Sequence, residues 1–295
     1  MITRKQIWGL VALTIMWGIY WPIMKLTLRE LSPLYFRAVS MSLGSLLLYF
    51  YYRSRGINMM PHGKEWLDVL SLGTPNILAL HAFSILGVNQ LASGRAAILG
   101  YTMPIWTILI STFFLREKLT KRVCFATIMV FLAVGLLLFH EVTRLTGRPV
   151  GIAWMLSAAI SWAIGTLMLR RATLTLPMEA LTVWMMLTGS LGIWILAILN
   201  EPVPNLQFSF KVWSALIYSV VIIYGVSQMI WFGLARHLPS STIAVSIMTV
   251  PLVGTLSSPL ITGEIPHWQD YIAVGLVMLA IAAVLVPFSG SKAKS

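Results

Sequence analysis

The sequence is poor in charge, because only 10% of its 295 residues are Asp, Glu, Lys or Arg. Soluble domains of average composition carry about 25% charged residues, whereas 58% of this chain is hydrophobic. Apolar runs of about 18 or more residues recur along nearly the whole length, and each can cross a hydrocarbon core as a helix. The composition predicts an all-α, polytopic membrane protein with no large soluble domain.

Cysteine is nearly absent, since Cys124 is the only one, which excludes an internal disulfide and a cysteine metal cluster. The sequence also lacks H-E-x-x-H, G-x-S-x-G and paired intramembrane aspartates, so we expect neither an enzyme nor a cofactor. The net charge of +12 fits basic loops beside an anionic leaflet better than nucleic acid. The expected partners are therefore membrane lipids and a small-molecule substrate.

Acidic residues are missing from the centres of the apolar runs. The nine carboxylates all lie at or near the ends of these runs: Glu30, Glu65, Asp68, Glu117, Glu141, Glu179, Glu201, Glu264 and Asp270. Ion-coupled pumps often use buried Asp or Glu as proton or sodium sites. Their absence favours facilitated transport over a carboxylate relay and disfavours a strongly cationic substrate, while His81 remains a candidate proton carrier because histidine titrates near neutral pH.

Ten apolar runs, separated by charged or Pro/Gly loops, predict ten transmembrane helices. Their estimated bounds are 7–28, 34–52, 68–88, 94–115, 122–140, 150–170, 179–199, 212–234, 240–262 and 269–288. Alternate loops collect 14 basic residues on one side and six on the other, the six being Arg29, Arg37, Arg95, Arg144, Arg148 and Lys211. The positive-inside rule then places both termini in the cytoplasm, and the first run is expected to be a retained span rather than a signal peptide.

The chain contains an internal repeat. At a constant offset of 147, four residues of the segment 93–120 match residues of 240–267: Ser93 with Ser240, Ala97 with Ala244, Pro104 with Pro251, and Glu117 with Glu264. Trp17 and Lys25 match Trp162 and Arg170 at an offset of 145. Because five spans is an odd number, the second copy enters the membrane from the opposite side. We expect two inverted five-helix repeats, residues 1–145 and 146–295, an architecture typical of secondary transporters.

Three features carry a resemblance to a known family: the segment WGIYWPIMK (17–25), the alanine-rich fourth span with its central proline and terminal glutamate, and the repetition of that pattern in the ninth span. Over almost its whole length the chain resembles the EamA-type family of the drug/metabolite transporter superfamily, and most of all the bacterial aromatic amino acid exporters of the YddG type. The second copy departs from the pattern at Trp162-Ala163 and Arg170. The resemblance implies ten helices, the bacterial inner membrane, and export of aromatic and other apolar amino acids and of some drugs such as methyl viologen.

The centres of the predicted spans hold aromatic and polar side chains. The candidate substrate-binding residues are Trp17, Trp21, His81, Tyr101, Trp162, Tyr224, Gln228 and Met248. At the offset of 147, His81 matches Gln228 and Tyr101 matches Met248. A largely apolar cavity with a few polar groups is typical of ligand sites, and aromatic walls can stack on a ring or hold an ammonium. The alternative for each residue is helix packing or lipid contact.

Four residues that weaken helices lie inside the predicted spans. Gly18, Pro22, Pro104 and Pro251 predict kinks, which serve either as hinges or as fixed bends. Together the patterns predict a secondary transporter that works by alternating access around a cavity at the membrane midplane. Three alternatives remain. They are a transporter of another metabolite or drug, a channel, which needs a continuous polar stripe that the sequence lacks, and an intramembrane enzyme, whose catalytic groups are missing.

Overall fold

The computed structural model describes residues 3–115, 120–143, 148–205, 207–235 and 249–285, and the regular secondary structure of this part is entirely helical. Short turns and loops connect the helices. In chain order the helices are α1 (Arg4–Thr27), α2 (Pro33–Ser54), α3 (Glu65–Gln90), α4 (Ser93–Gly100), α5 (Met103–Leu115), α6 (Lys121–Thr143), α7 (Pro149–Arg171), α8 (Met178–Asn200), α9 (210–235), α10 (Val250–Ile261) and α11 (Trp268–Leu285).

Seven helical stretches of the described residues are long and apolar enough to cross a membrane, and two shorter apolar helices accompany them. The chain is therefore a multi-pass membrane protein, as its composition predicts. Helix α2 has 22 residues but does not belong to the seven, because Arg37, Arg53 and several serines and tyrosines lower its hydropathy. The described helix ends agree with the predicted spans to within three residues except at two places: α10 begins at Val250 rather than at 240, where residues 240–248 lie outside the described part, and the fourth span is divided at 101–102. The count of ten spans and their orientation stay predictions.

The first two helices begin where their sequences favour it. Thr3 and Gln6 form a capping box at the start of α1, in which the Gln6 amide donates to Thr3 Oγ1 at 3.3 Å and the Thr3 amide donates to Gln6 Oε1 at 2.9 Å. Helix α2 starts with Pro33, whose missing amide hydrogen has no partner to lose at a helix start. Local sequence thus sets where both helices begin.

The main helix contacts cross the predicted repeat boundary. Helix α1 packs on α10, α2 on α8, α3 on α7, and α6 on α11. Two glycines permit close approach: a Cβ at Gly18 of α1 would overlap Val253 of α10, and a Cβ at Gly44 of α2 would overlap Tyr224 of α9. The interior is therefore built from helices of both halves in direct contact.

Helices α3 and α9 each contain a segment with π-helical geometry, Thr74–Ala79 and Tyr218–Val226. Residues 74–79 shifted by the repeat offset of 147 fall on 221–226, inside the second segment. A π turn holds one residue more than an α turn and is often found at functional sites. The candidate residues His81 and Gln228 follow shortly after these two segments.

The prolines predicted to kink helices take different positions. Pro22 lies within the continuous helix α1. Pro104 is the second residue of α5, because α4 ends at Gly100 and a turn at 101–102 separates the two helices. Pro251 is likewise the second residue of α10. Proline fits the first turn of a helix, where its missing N–H is not needed, so Pro104 begins a helix at a break rather than bending a continuous one.

Candidate functional site

Trp17 of α1 contacts the second half of the chain through both its nitrogen and its ring. Its Nε1 donates to Ser227 Oγ of α9 at 3.2 Å. Its ring centroid lies 5.5 Å from that of Trp231, with an angle of 48° between the planes. Tryptophan in an apolar interior needs a partner for its N–H, and here a serine of the other half supplies it.

Trp21, one turn further along α1, lies over the break between α4 and α5. Its ring centroid is 6.3 Å from that of Tyr101, in an edge-on arrangement at 64°. A Cβ at Gly100 would lie 2.9 Å from Trp21 Cη2, so the ring rests directly on the last residue of α4. Trp21 therefore faces the helix bundle, and two of the predicted site residues are in contact.

Arg37 of α2 is the least expected residue of the interior, with only 2% of its surface exposed. Its Nη1 donates to Tyr224 Oη at 2.7 Å and to Tyr20 Oη at 3.1 Å. Its Nη2 lies 3.0 Å from Met24 Sδ, a weak acceptor. Counted from the sequence as a loop charge, Arg37 instead joins α1, α2 and α9 inside the bundle.

The positive charge of Arg37 has no acidic partner in the described part of the chain. The ion pairs there join His62 to Glu65 and Arg95 to Asp270, and Arg37 Nε is buried without any hydrogen-bond partner. A buried donor left unsatisfied costs about 1–3 kcal/mol, and more when the group is charged. The guanidinium therefore remains incompletely satisfied.

His81 lies beside the tyrosine that Arg37 contacts. Its ring centroid is 6.1 Å from that of Tyr224, at an angle of 67°, and its side chain is half-buried. We call Arg37, Tyr20, Met24, Tyr224 and His81 the arginine–tyrosine cluster. Two of its members, His81 and Tyr224, are predicted from the sequence, and the structure brings them together.

The remaining three candidates are Trp162, Gln228 and Met248. Trp162 of α7 and Gln228 of α9 are half-buried, and neither side chain makes a hydrogen bond or ring contact with another described residue. Met248 lies outside the described residues, so its predicted match with Tyr101 stays a prediction. Five of the eight candidates thus make contacts in the interior: Trp17, Trp21, His81, Tyr101 and Tyr224.

Sequence reasoning missed Arg37, and one signal was available to find it. The predicted second span, 34–52, already includes position 37, so a basic residue lay inside a span while being counted with the loops. Ionisable residues within membrane helices mark functional sites by default. Tyr20 and Trp231 carried no comparable signal, because each is one aromatic residue among many in an apolar run.

Basic side chains bind helix C-termini at the end of the bundle where α1 finishes. Lys25 Nζ donates to the carbonyls of Val88 at 2.9 Å and Asn89 at 2.8 Å, at the end of α3. Arg29 Nη2 donates to the carbonyl of Thr262 at 2.6 Å, directly after α10. Cations are favourable there because the last carbonyls of a helix carry partial negative charge. Lys25 and Arg29 therefore bind carbonyls at the ends of α3 and α10.

Carboxylates bind helix N-termini at the same end. Glu201 accepts from the amides of Leu34 at 3.0 Å and Tyr35 at 3.1 Å, at the start of α2. Glu264 accepts from the amide of Ser93 at 2.8 Å and from its hydroxyl at 2.7 Å, at the start of α4. The first amides of a helix are unpaired and attract negative charge. Both carboxylates come from the second half of the chain and cap helices of the first half.

Glu30 makes a further contact between the halves in the loop after α1. Its Oε2 accepts from the Ser209 amide at 2.7 Å, and the hydrogen bonds from Ser209 hold the pKa of Glu30 below its ordinary value. A groove of about 550 Å³ opens beside it, and none of the candidate site residues lines this groove. It is lined by Leu26, Arg29, Glu30, Ser209, Phe210, Lys211 and Val212.

These features define the class of the protein. Apolar helices cross the membrane several times, and the interior holds aromatic rings and a buried arginine; among the described residues no group of three His, Cys, Asp or Glu could hold a metal. Such a bundle is an integral membrane protein of the transporter type. The chain belongs to the EamA-like transporter family, whose family model matches residues 4–139 and 149–286.

Several relatives are similar over most of their length. The uncharacterized transporter YoaV of Bacillus subtilis (strain 168) is 24% identical over 84% of this chain and 86% of its own. The uncharacterized inner membrane transporter YedA of Escherichia coli (strain K12) is 26% identical over 94% and 89%, respectively. The biotin transporter of Salmonella typhimurium (strain LT2) is 24% identical over 92% and 90%.

A solved crystal structure has the same fold. It superposes with a TM-score of 0.67, covers 96% of both chains and is 18% identical in sequence. At that level of identity the likeness concerns the fold alone.

Proposed function

We propose that the protein is a secondary transporter that exports small apolar or zwitterionic solutes, with aromatic amino acids (Phe, Trp and Tyr) as its main substrates. One observation carries the proposal: aromatic and polar side chains of both halves meet inside the bundle, as Trp17 meets Ser227 and Trp231, and His81 meets Tyr224. A site shared by two halves is the arrangement that alternating access requires.

The repeat supports this mechanism. The family model matches the chain twice, and α2 packs on α8 while α6 packs on α11. Under the predicted repeats these are the second and the fifth helix of each copy, which would contact their counterparts across a two-fold axis. The paired π-helical segments fit the same relation. We therefore propose inverted repeats that rock against each other, with both termini in the cytoplasm.

The chemistry of the interior supports the substrate class. The indoles of Trp17 and Trp21 and the ring of Tyr101 offer aromatic surface for an aromatic solute. The buried charge of Arg37 repels permanent cations, which argues against methyl viologen, a dication, as the main substrate. One relative is named as an inner membrane transporter, and we propose the bacterial inner membrane for this chain as well.

Biotin is a second candidate, favoured by the relative that is named as a biotin transporter. The bundle would have to hold a non-aromatic bicyclic ring system in place of the aromatic ring of Phe, Tyr or Trp. Aromatic residues suit both kinds of solute, so a direct measurement has to separate the two candidates.

The test is counterflow in proteoliposomes that contain the full chain. Vesicles loaded with unlabelled Phe are expected to accumulate labelled Phe transiently and saturably, whereas protein-free vesicles are not. Trp17→Ala and Trp21→Ala should raise the KM about tenfold or more, because each removes a large aromatic surface. The matched control is Trp8→Ala, since Trp8 is 69% exposed at the start of α1.

Three results would contradict the proposal in different ways. Flux that rises linearly without saturation would indicate a channel. Saturable flux of labelled biotin without flux of Phe, Trp or Tyr would replace the substrate. A KM that changes as much in Trp8→Ala as in Trp17→Ala would remove the aromatic residues of the interior from the site.

A further inference from the structure

We propose that Arg37 binds the carboxylate of the transported solute through the Nε–Nη2 edge of its guanidinium. The carboxylate would then be a requirement for recognition, and Arg37 would determine specificity. The inference rests on the proposed function, because it names the chemical group that the proposed transporter recognises.

The hydrogen bonds of Arg37 leave one edge of the guanidinium without oxygen acceptors. Nη1 is engaged, since it donates to the hydroxyls of Tyr20 and Tyr224. Nη2 contacts only the thioether of Met24, and Nε has no partner. Nε and Nη2 carry the two parallel N–H groups that bind a carboxylate in a side-on, bidentate manner. The edge best suited to a carboxylate is therefore the unsatisfied one.

The surroundings supply no internal acid for that edge. In the part of the chain that the structure describes, the acidic partner of a buried arginine is Asp270, and it pairs with Arg95. A buried charge is retained in membrane helices where it serves a pathway or a ligand. Only 2% of the surface of Arg37 is exposed. A ligand that supplied two oxygens would therefore fill a missing interaction and would not have to displace water from the guanidinium.

The aromatic residues of α1 lead to this edge. Trp17, Tyr20, Trp21 and Met24 follow one another at spacings of three, one and three, so they share one face of the helix. Tyr20 and Met24 contact Arg37. Trp17 lies one turn before Tyr20, and Trp21 lies one turn before Met24. A solute with a ring and a carboxylate would place the ring against the tryptophans and the carboxylate at Arg37.

Met24 occupies the carboxylate position in the structure. Its Sδ lies 3.0 Å from Nη2, and a thioether is a weak acceptor on a flexible side chain. A carboxylate oxygen therefore displaces it with a gain in hydrogen-bond strength. The tyrosine hydroxyls on Nη1 need not move.

The experiment compares analogues of Phe that keep the carboxylate with analogues that lack it. Counterflow of labelled Phe is competed with 3-phenylpropionate, which keeps the carboxylate and lacks the amine, and with phenylalaninamide and phenethylamine, which lack the carboxylate. In the wild-type protein we expect competition by 3-phenylpropionate alone. Arg37→Gln should raise the KM for Phe about 10- to 100-fold, which corresponds to loss of charge-assisted hydrogen bonds, and should abolish the preference for carboxylates. Arg37→Lys keeps the charge but lacks the two parallel N–H groups, so it should raise the KM less and weaken the preference.

The control is Arg53→Gln, which removes a charge from the exposed end of the same helix and should change neither quantity. Arg37 variants that transport more slowly but keep the wild-type preference for carboxylates would overturn the proposal, because Arg37 would then only hold helices together. Wild-type transport of phenylalaninamide as efficient as that of Phe would overturn it as well.

Binding separates this inference from the proposed function. In detergent, 3-phenylpropionate should raise the Tm of the wild-type protein and phenethylamine should not, and Arg37→Lys should reduce the shift at least by half. That pattern supports a carboxylate site even if no amino acid is transported. Phe transport by the wild-type protein without any carboxylate-dependent Tm shift or competition would leave the function standing and overturn the role of Arg37.

Discussion

Arg37 and Arg95 are both buried arginines near the start of a helix, with 2% and 5% of their surfaces exposed, yet their partners differ. Arg95 Nε donates to Asp270 Oδ1 at 2.6 Å, which joins α4 to α11. Arg37 has two tyrosine hydroxyls, a thioether and one nitrogen without a partner. The difference separates a charge that stabilises the fold from a charge that is left for a ligand.

The largest effect is expected where the ion pair is broken. Asp270→Asn leaves the charge of Arg95 buried without a counter-charge, and such changes destabilise proteins by about 3–5 kcal/mol. We expect a large fall in the Tm of the detergent-solubilised protein, followed by tryptophan fluorescence. The double variant Arg95→Met/Asp270→Leu should recover much of the loss, because it removes both charges. An unchanged Tm in Asp270→Asn would show that the pair contributes nothing to stability.

A smaller effect is expected at the other arginine. Arg37→Gln removes hydrogen bonds to Tyr20 and Tyr224, which contribute about 0.5–1.5 kcal/mol each, but it also removes a buried charge and an unsatisfied donor. These terms oppose each other, so the net loss should be about 1 kcal/mol in the same melting assay. A loss as large as that of Asp270→Asn would make the two arginines alike and would assign Arg37 to the scaffold.

The smallest effect is expected at the cap of the helix that carries Arg37. Glu201→Gln keeps an acceptor for the amides of Leu34 and Tyr35 but loses the charge that complements the helix N-terminus. Such charges contribute about 0.3–1 kcal/mol, so the Tm should fall slightly while the preference for carboxylates stays as in the wild type. A changed preference would show that Glu201 adjusts the position or field of Arg37.

Hydropathy alone predicted the membrane class and the helix ends of most spans. The described bounds of α7 are Pro149–Arg171 against a predicted 150–170, because charged and proline-containing loops interrupt the apolar runs clearly. The break at 101–102 was not predicted, since Tyr101 and Thr102 do not change the hydropathy of the run. Average polarity reports where a helix can lie in lipid and is insensitive to a local turn within it.

The sequence also pointed to some residues of the candidate site, and it missed others for a related reason. Mid-span position selected Trp17, Trp21 and Tyr101 as candidates, and each makes a contact in the interior. It could not identify the contact of Arg37 with Tyr224, since that contact joins residues 187 positions apart. The helix that an aromatic side chain contacts depends on how the helices pack together. That packing cannot be deduced from the sequence of a single span.

The π-helical segments of α3 and α9 have a consequence for how the interior can change during evolution. One extra residue per turn rotates everything beyond it by about 100°, the angle of one residue in an α-helix. The direction in which His81 and Gln228 point around the helix axis therefore depends on the π-helical segments 74–79 and 218–226 as well as on their own positions in the sequence. Insertion or deletion of a single residue there would present a different helix face to the solute while the ends of the helix stay anchored, so indels as well as substitutions give this fold a route to new selectivity.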